Sequence, residues 1–309
     1  MSATPQPKVD LRPFTTLRAG GAADFFLQAS NIEELAEGAQ WAWKRGLKVT
    51  PLGWGSNVLP ADAGVSGLVL LNRATYLKVD EDGTVEADSG LGFGELFIKT
   101  VQAELAGLEF AVGIPGSVGG ALVSNAGAYR SCVSEFLTGL EVVTPAGRAW
   151  VGPEWMGFAY RDSVLRRAGA PQAIILRVRM LLPQGEPKKI YDEAREYQRQ
   201  RISKQPPSPS AGSFFKNVVD QELAQRIPGL SDGMRAAGVV PAGFLIQECG
   251  LKGHRIGGAM LGVKHANFLL NVGGATATDL RNLAEHAQEK VLETFGVTLE
   301  PEVLYLGRW

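Results

Sequence analysis

Residues 113–129, GIPGSVGGALVSNAGAY, decide how the rest of the chain is read. Pro115 stiffens the approach, while Gly113, Gly116, Gly119 and Gly120 keep Cβ atoms out of the way, so that backbone can approach another group closely. Two readings stay open: clearance for a flat or phosphorylated ligand along Ile114, Ser117 and the small residues Ala121 to Ala128, and close helix packing through small residues. A second glycine loop, Gly53-Trp54-Gly55-Ser56-Asn57, follows an apolar strand at 48–52 and runs on into Val58. Such turns can converge N–H groups on an anion, or merely reverse the chain. Together the two loops favour a dinucleotide-sized ligand. Neither is a Rossmann fingerprint, since Gly53-x-Gly55 lacks the third glycine and Gly90-x-Gly92 has Glu95 in its place.

Outward from these loops the pattern is mixed α and β. Ser30 and Glu33 form an S-x-x-E capping box for a helix reaching Trp43 and closing at Gly46. Strands are expected at 48–52 and 68–71, and hairpins at 76–87 around Asp82-Gly83 and at 140–151 around Pro145-Ala146-Gly147. A helix is expected from Glu95 to about Ala106, a β-branched strand at 174–182, and a polar helix from Pro187 to Arg201. The basic set Lys188, Lys189, Arg195, Arg199, Arg201 and Lys204 reads as a solvated face or as a cationic rim for a diphosphate. After the stiff run QPPSPS (205–210), a domain boundary by composition, one helix stands out. It places Leu280, Leu283, Ala284, Ala287, Val291 and Phe295 on one face, with Thr278 as cap and Gly296 as stop.

Composition narrows the function. With 31 Lys and Arg against 32 Asp and Glu, no global basic field for nucleic acid exists. Glycine is abundant, 38 of 309 residues, against a usual ~7%. Cys132 and Cys249 stand alone, which excludes paired CxxC metal sites and a disulfide framework; Cys132 reads as a small core residue. No metal site is expected. The first ten residues lack the apolar run of a signal peptide, and no stretch approaches the ~20 apolar residues of a membrane span. The expectation is a cytoplasmic protein with no membrane or nucleic-acid partner. No P-loop or GxSxG elbow occurs, and His254, His265 and His286 give little support to a hydrolase triad.

Three further motifs carry polar groups. Tyr160-Arg161-Asp162-Ser163 offers a guanidinium for a carboxylate or phosphate, or a surface pair of Arg161 with Asp162. Ala211-Gly212-Ser213-Phe214-Phe215-Lys216-Asn217 mixes a hydroxyl, an aromatic wall and polar contacts, as small-molecule pockets do; alternatively Ser213 caps a helix. Leu299-Glu300-Pro301-Glu302-Val303 sets a carboxylate beside an apolar strand, where it could act as an acid or simply face solvent.

In this order, FTTLRAGG (14–21), GWGSN, GIPGSVGGA…NAGAY, YRDS, AGSFFKN, GLKGHRIGGA (250–259), KHANF (264–268) and LEPEV resemble the UDP-N-acetylenolpyruvoylglucosamine reductases, over nearly the whole chain. Any one motif is weak; the ordered set is specific. The resemblance implies an α+β protein: a p-cresol-methylhydroxylase-type FAD-binding domain of two subdomains (1–75 and 76–204), a C-terminal α+β substrate-binding domain (205–300), and a terminal strand (301–309) returning a glutamate to the active site. It implies FAD, with the diphosphate on Gly53 to Asn57, Val58 as a further cofactor contact, and the isoalloxazine near Gly113–Gly120 and Asn125, Ala126, Gly127 and Ala128. No histidine precedes residue 254, so the flavin is expected to be non-covalent.

The implied reaction takes hydride from NADPH through FAD to the enolpyruvyl ether of UDP-N-acetylglucosamine, at the vinyl carbon distal to the carboxylate, in peptidoglycan precursor synthesis. Arg161 and Glu302 would stabilise charge on the substrate carboxylate, and Ser213 would protonate the adjacent carbon. Tyr160, Arg199, Lys204, Phe214, Lys216, Asn217, Lys264 and Asn267 are the expected substrate contacts. The chain also resembles the branch of the family without a tyrosine-bearing lid loop, and a monomer is expected. Val218 and Leu304 depart from the proline and basic residue common at those places. The competing reading is an FAD-linked oxidase or dehydrogenase of the same fold acting on an alcohol or hydroxy acid.

Overall fold

The computed structural model describes residues 4–204 and 206–309, the side chain of Lys204 excepted. Two compact units emerge. One comprises residues up to Asp10, Ala22–Gly55 and Gly64–Ser203; the other comprises Leu11–Gly21, Ser56–Ala63 and Lys204–Trp309.

The first unit holds two sheets. In one, the order is Gln6–Asp10, Ala22–Ala29, Val65–Asn72, Val49–Leu52, with the first pair antiparallel and the others parallel. Helix α1 (Ile32–Trp43) covers it through Ile32, Leu35, Ala36, Ala39 and Ala42, packed on Leu27, Leu68 and Leu70. The approach is tight enough that a Cβ on Gly38 would lie 2.6 Å from Leu27 Cδ2. Its cap falls one residue later than the S-x-x-E pattern suggests. Asn31 Oδ1 accepts from the Glu34 N–H at 2.9 Å, and the Glu34 carboxylate takes the Ser30 N–H. Asparagine competes well for this position.

The second sheet is antiparallel throughout, in the order Gly147–Val151, Leu137–Thr144, Ile174–Leu181, Thr84–Asp88, Leu77–Val79. Strand alternation sends Val178 and Met180 inward, while Arg177 and Arg179 bond Glu86 and Asp88 on the other face. Helix α2 (Phe93–Gln102) starts two residues before Glu95, with Gly92 at its N-cap position, because Phe93, Leu96, Phe97 and Val101 bury together with α3 (Val118–Val123) in this sheet's core. Cys132 is half-buried rather than in the core: its N–H donates to the Glu135 carboxylate at 3.1 Å. Helix α4 (Pro187–Lys204) closes the unit.

In the second unit, α5 (Gln221–Arg226), α6 (Asp232–Ala236) and α7 (Ala242–Glu248) precede a sheet in the order Ser210–Ser213, Phe268–Asn271, Ala259–Leu261, Arg255–Ile256. Helix α8 (Ala277–Phe295) buries Leu280, Leu283, Ala284, Ala287 and Val291. Each large one of these contributes ~1.5–3 kcal/mol by leaving water. The cap is Thr276, not Thr278: Thr276 and Asp279 form the capping box, while the Thr278 hydroxyl donates to Asp62. Gly296 ends the helix at φ 73°, as its sequence position suggests. Ser213 ends a strand and caps no helix.

Candidate functional site

In the first unit the two glycine loops touch. A Cβ on Gly53 would lie 2.4 Å from Ser117 Oγ, and Arg73 donates to the Gly53 carbonyl at 2.8 Å. Trp54 lies over Gly92, its indole N–H donating to the Gly90 carbonyl at 3.3 Å. Small-residue packing therefore explains Gly53, and it explains Gly119 too, whose Cβ would meet Ser89 Cβ at 2.9 Å. Gly55, Gly113 and Gly116 are different, with φ of 63°, 70° and 131°, where a side chain would be strained. Ser117 caps α3 by accepting the Gly120 N–H, while the Val118 and Gly119 N–H groups go to the Leu91 and Ser89 carbonyls. Close packing thus accounts for Gly53 and Gly119, and a positive φ for Gly55, Gly113 and Gly116.

Beyond α3 the chain makes a Schellman turn. The Ala126 N–H donates to the Ala121 carbonyl at 2.7 Å and the Asn125 N–H to the Leu122 carbonyl at 3.0 Å, with Asn125 left-handed at φ 43°. Gly127 and Ala128 then pair with Cys132 and Ser131. Arg161 meets this turn. Its guanidinium donates to the Asn125 carbonyl at 3.2 Å and to the Gly127 carbonyl. Asp162 is bonded by Arg167 at 2.6 Å, so the surface pair of Arg161 with Asp162 does not form. Tyr160 is half exposed, with the Arg161 guanidinium carbon 5.3 Å from its ring centre.

Tyr129, Tyr197, which no sequence motif had marked, and Arg201 gather here. The rings of Tyr129 and Tyr197 stack 3.7 Å apart, and the Arg201 guanidinium lies 6.0 Å from Tyr129. Arg201 thus belongs to no solvated face, and burial pushes its basicity down. Its Nε and the Oδ1 of Asn125 are buried and have no hydrogen-bond partner among the described residues. On α4, Arg199 bonds Glu196 at 3.1 Å, beside an open hollow formed by Arg195, Gln198, Ile202 and Ser203. The Lys204 side chain lies outside the described residues.

The second unit brings Ser213 and Glu302 onto adjoining extended segments. The Phe214 carbonyl accepts the Glu302 N–H at 2.8 Å, and Phe215 pairs with Pro301. Phe214 and Phe215 are buried and anchor this pairing in the core. Asn267 fixes it from the other side: its carbonyl takes the Phe214 N–H, and its amide both accepts from and donates to Phe215 backbone, at 2.9 and 2.8 Å. Both ends of that side-chain amide bond backbone. Lys216 is buried and bonded to Glu300 at 2.5 Å, Asn217 accepts the Ala242 N–H, and Lys264 is exposed.

Asn57 holds the same strand. Its amide donates to the Glu302 carbonyl at 3.2 Å and its carbonyl accepts the Leu304 N–H at 3.1 Å. From there Val58–Pro60 runs parallel to Leu304–Leu306. Ser56 and Asn57 group with this unit, and Gly53 to Gly55 with the other.

The profile of the UDP-N-acetylenolpyruvoylglucosamine reductase C-terminal domain matches residues 203–306, and that of an FAD binding domain matches residues 23–151. UDP-N-acetylenolpyruvoylglucosamine reductase of Nostoc punctiforme is 38% identical over 97% of this chain and 85% of its own length. The enzyme of that name from Rubrobacter xylanophilus is 38% identical over 98% and 96%. Among solved structures, UDP-N-acetylenolpyruvylglucosamine reductase of Thermus caldophilus superposes with a TM-score of 0.77 at 32% identity, covering 98% of this chain and 99% of that one. With relatives this similar over nearly their full length, the chain belongs to the UDP-N-acetylenolpyruvoylglucosamine reductase family.

Proposed function

We propose that this chain reduces the enolpyruvyl ether of UDP-N-acetylglucosamine to the lactyl ether of UDP-N-acetylmuramate, with non-covalent FAD and with NADPH as hydride source. Two separate half-buried thiols, Cys132 and Cys249, suit a reducing cytoplasm. The observation that carries the reading is the juxtaposition of Ser213 with Glu302, held by the Phe214–Glu302 backbone bond, in a chain whose other unit matches an FAD-binding profile.

The residues present fit FAD. Gly55, Gly113 and Gly116 keep backbone open where a Cβ would strain it, and Asn125 Oδ1 is a buried acceptor that suits a group bearing N–H donors. Gly53 to Asn57, Gly113 to Gly116 and Asn125 would hold it. When bound, it supplies hydride acceptance from NADPH and hydride donation to the substrate.

The chain's own residues then handle charge and the proton. Hydride addition at the distal vinyl carbon builds negative charge toward the substrate carboxylate, and donors aimed there lower the barrier. Arg161 supplies two N–H groups already oriented by carbonyls, and Glu302, when protonated, a third donor. The Ser213 hydroxyl gives its proton to the carbon next to the carboxylate.

Anaerobic addition of NADPH tests this reading. The flavin absorbance should bleach, and the enolpyruvyl sugar nucleotide should restore it. Bleaching by an alcohol or hydroxy acid instead of NADPH would establish the competing oxidase.

A further inference from the structure

One residue, Asn125, touches both the turn that carries Arg161 and, beside the Gly127 carbonyl, its guanidinium. The guanidinium stands on a two-residue turn closed by reciprocal bonds between Ala159 and Asp162, at 3.1 and 3.2 Å. Within that turn Arg161 has φ 52°, a place that favours glycine or asparagine. For an L residue with a Cβ this conformation is strained, so something outside the turn must hold it.

Asn125 does so. Its side-chain amide donates to the Ala159 carbonyl at 3.0 Å, fastening the base of the turn, and its main-chain carbonyl accepts from Arg161 at 3.2 Å, aiming the tip. Ser163 adds a fastening on the far side, its hydroxyl donating to the Val123 carbonyl at 2.7 Å. The carbonyl of Asn125 points at Arg161 because the Schellman turn puts this residue in the left-handed region, and asparagine tolerates that region better than most side chains. The helix ending of α3 therefore sets the direction of the guanidinium.

We infer that Asn125 is the positioning residue for Arg161, coupling the end of α3 to the orientation of the carboxylate-binding guanidinium. The inference rests on the function proposed above, in which Arg161 acts only on the enolpyruvyl substrate. The consequence is a specific coupling. In enzyme that retains its flavin, deleting the Asn125 side chain should slow reoxidation far more where the Arg161 fork is present than where it is not.

The test is a double-mutant cycle with Asn125→Gly, Arg161→Lys and the double variant. It reads, per bound flavin, the rate at which the enolpyruvyl sugar nucleotide reoxidises the reduced enzyme. Glycine keeps the left-handed backbone and removes only the side chain. Asn125→Gly is expected to slow reoxidation by about 10–100-fold in the native background, in line with the effect of a roughly 1 Å misplacement. In the Arg161→Lys background it should slow it by less than about threefold. Equal slowing in both backgrounds, or no slowing in either, overturns the inference. Should the glycine variant lose its flavin or its fold, Asn125→Asp passes through the same cycle with the same expectation. A native enzyme that the enolpyruvyl sugar nucleotide cannot reoxidise defeats the proposed function itself; a native enzyme that turns over with an additive cycle defeats only the role of Asn125.

Discussion

At φ 52°, Arg161 occupies a turn position where most side chains are strained, and its guanidinium bonds the backbone carbonyls of Asn125 and Gly127. Strain of this kind persists where surroundings over-determine it, as functional sites do. A lysine at 161 would keep the charge but lose the planar fork. Arg161→Lys should therefore slow enolpyruvyl reduction by about 100-fold, with flavin reduction by NADPH changed little, as single-turnover absorbance would show. Loss of both half-reactions together would assign Arg161 to the flavin instead. The motif YRDS announced a guanidinium from sequence, but its bonding was hidden. Asp162 looked like the natural partner, whereas Arg167, five residues on, takes it at 2.6 Å.

Helices show how local signals compete. Both Ser30 and Thr278 sit in sequence patterns that suit a cap, yet Asn31 and Thr276 are the caps. The shift at α8 has a cause remote in sequence. Asp62 accepts from the Ala277 and Thr278 N–H groups, at 2.9 and 2.8 Å, and from the Thr278 hydroxyl at 2.7 Å, which draws Thr278 away from capping. A carboxylate at a helix start also meets the positive end of the helix dipole. Burial pushes the Asp62 carboxyl up, but these three hydrogen bonds outweigh it and hold the group below its usual range. A depressed carboxylate contributes stability above its unfolded value, ~3.9, and that contribution fades as pH falls through the folded value. Asp62→Ala should thus lower stability at pH 7 by about 0.5–2 kcal/mol. Urea denaturation should show the gap from the native protein closing below pH ~4; a gap independent of pH would contradict the assignment.

Across the whole molecule, motifs near one another in sequence were legible and pairings between distant segments were not. The hairpins at 77–88 and 137–151 announced themselves through Asp82-Gly83 and Ala146-Gly147, because turn chemistry is local. The pairing of Val58–Pro60 with Leu304–Leu306, and the bond from Asn57 to Glu302, join segments 245 residues apart and leave no periodicity to read. That is why GWGSN looked like one cofactor loop, although Asn57 fastens the strand that carries Glu302. The buried Asn267, spent on Phe215 backbone, is a second case: sequence shows an amide but not what it faces.

In the proposed mechanism Ser213 serves only the second half of a two-step reduction. Ser213→Ala, followed anaerobically by flavin absorbance, tests it most directly. NADPH should bleach the variant at close to the native rate, while the enolpyruvyl sugar nucleotide should restore its colour about 10²–10⁴-fold more slowly, the range of a lost general acid. Equal slowing of both phases, or recovery at the native rate, would contradict it.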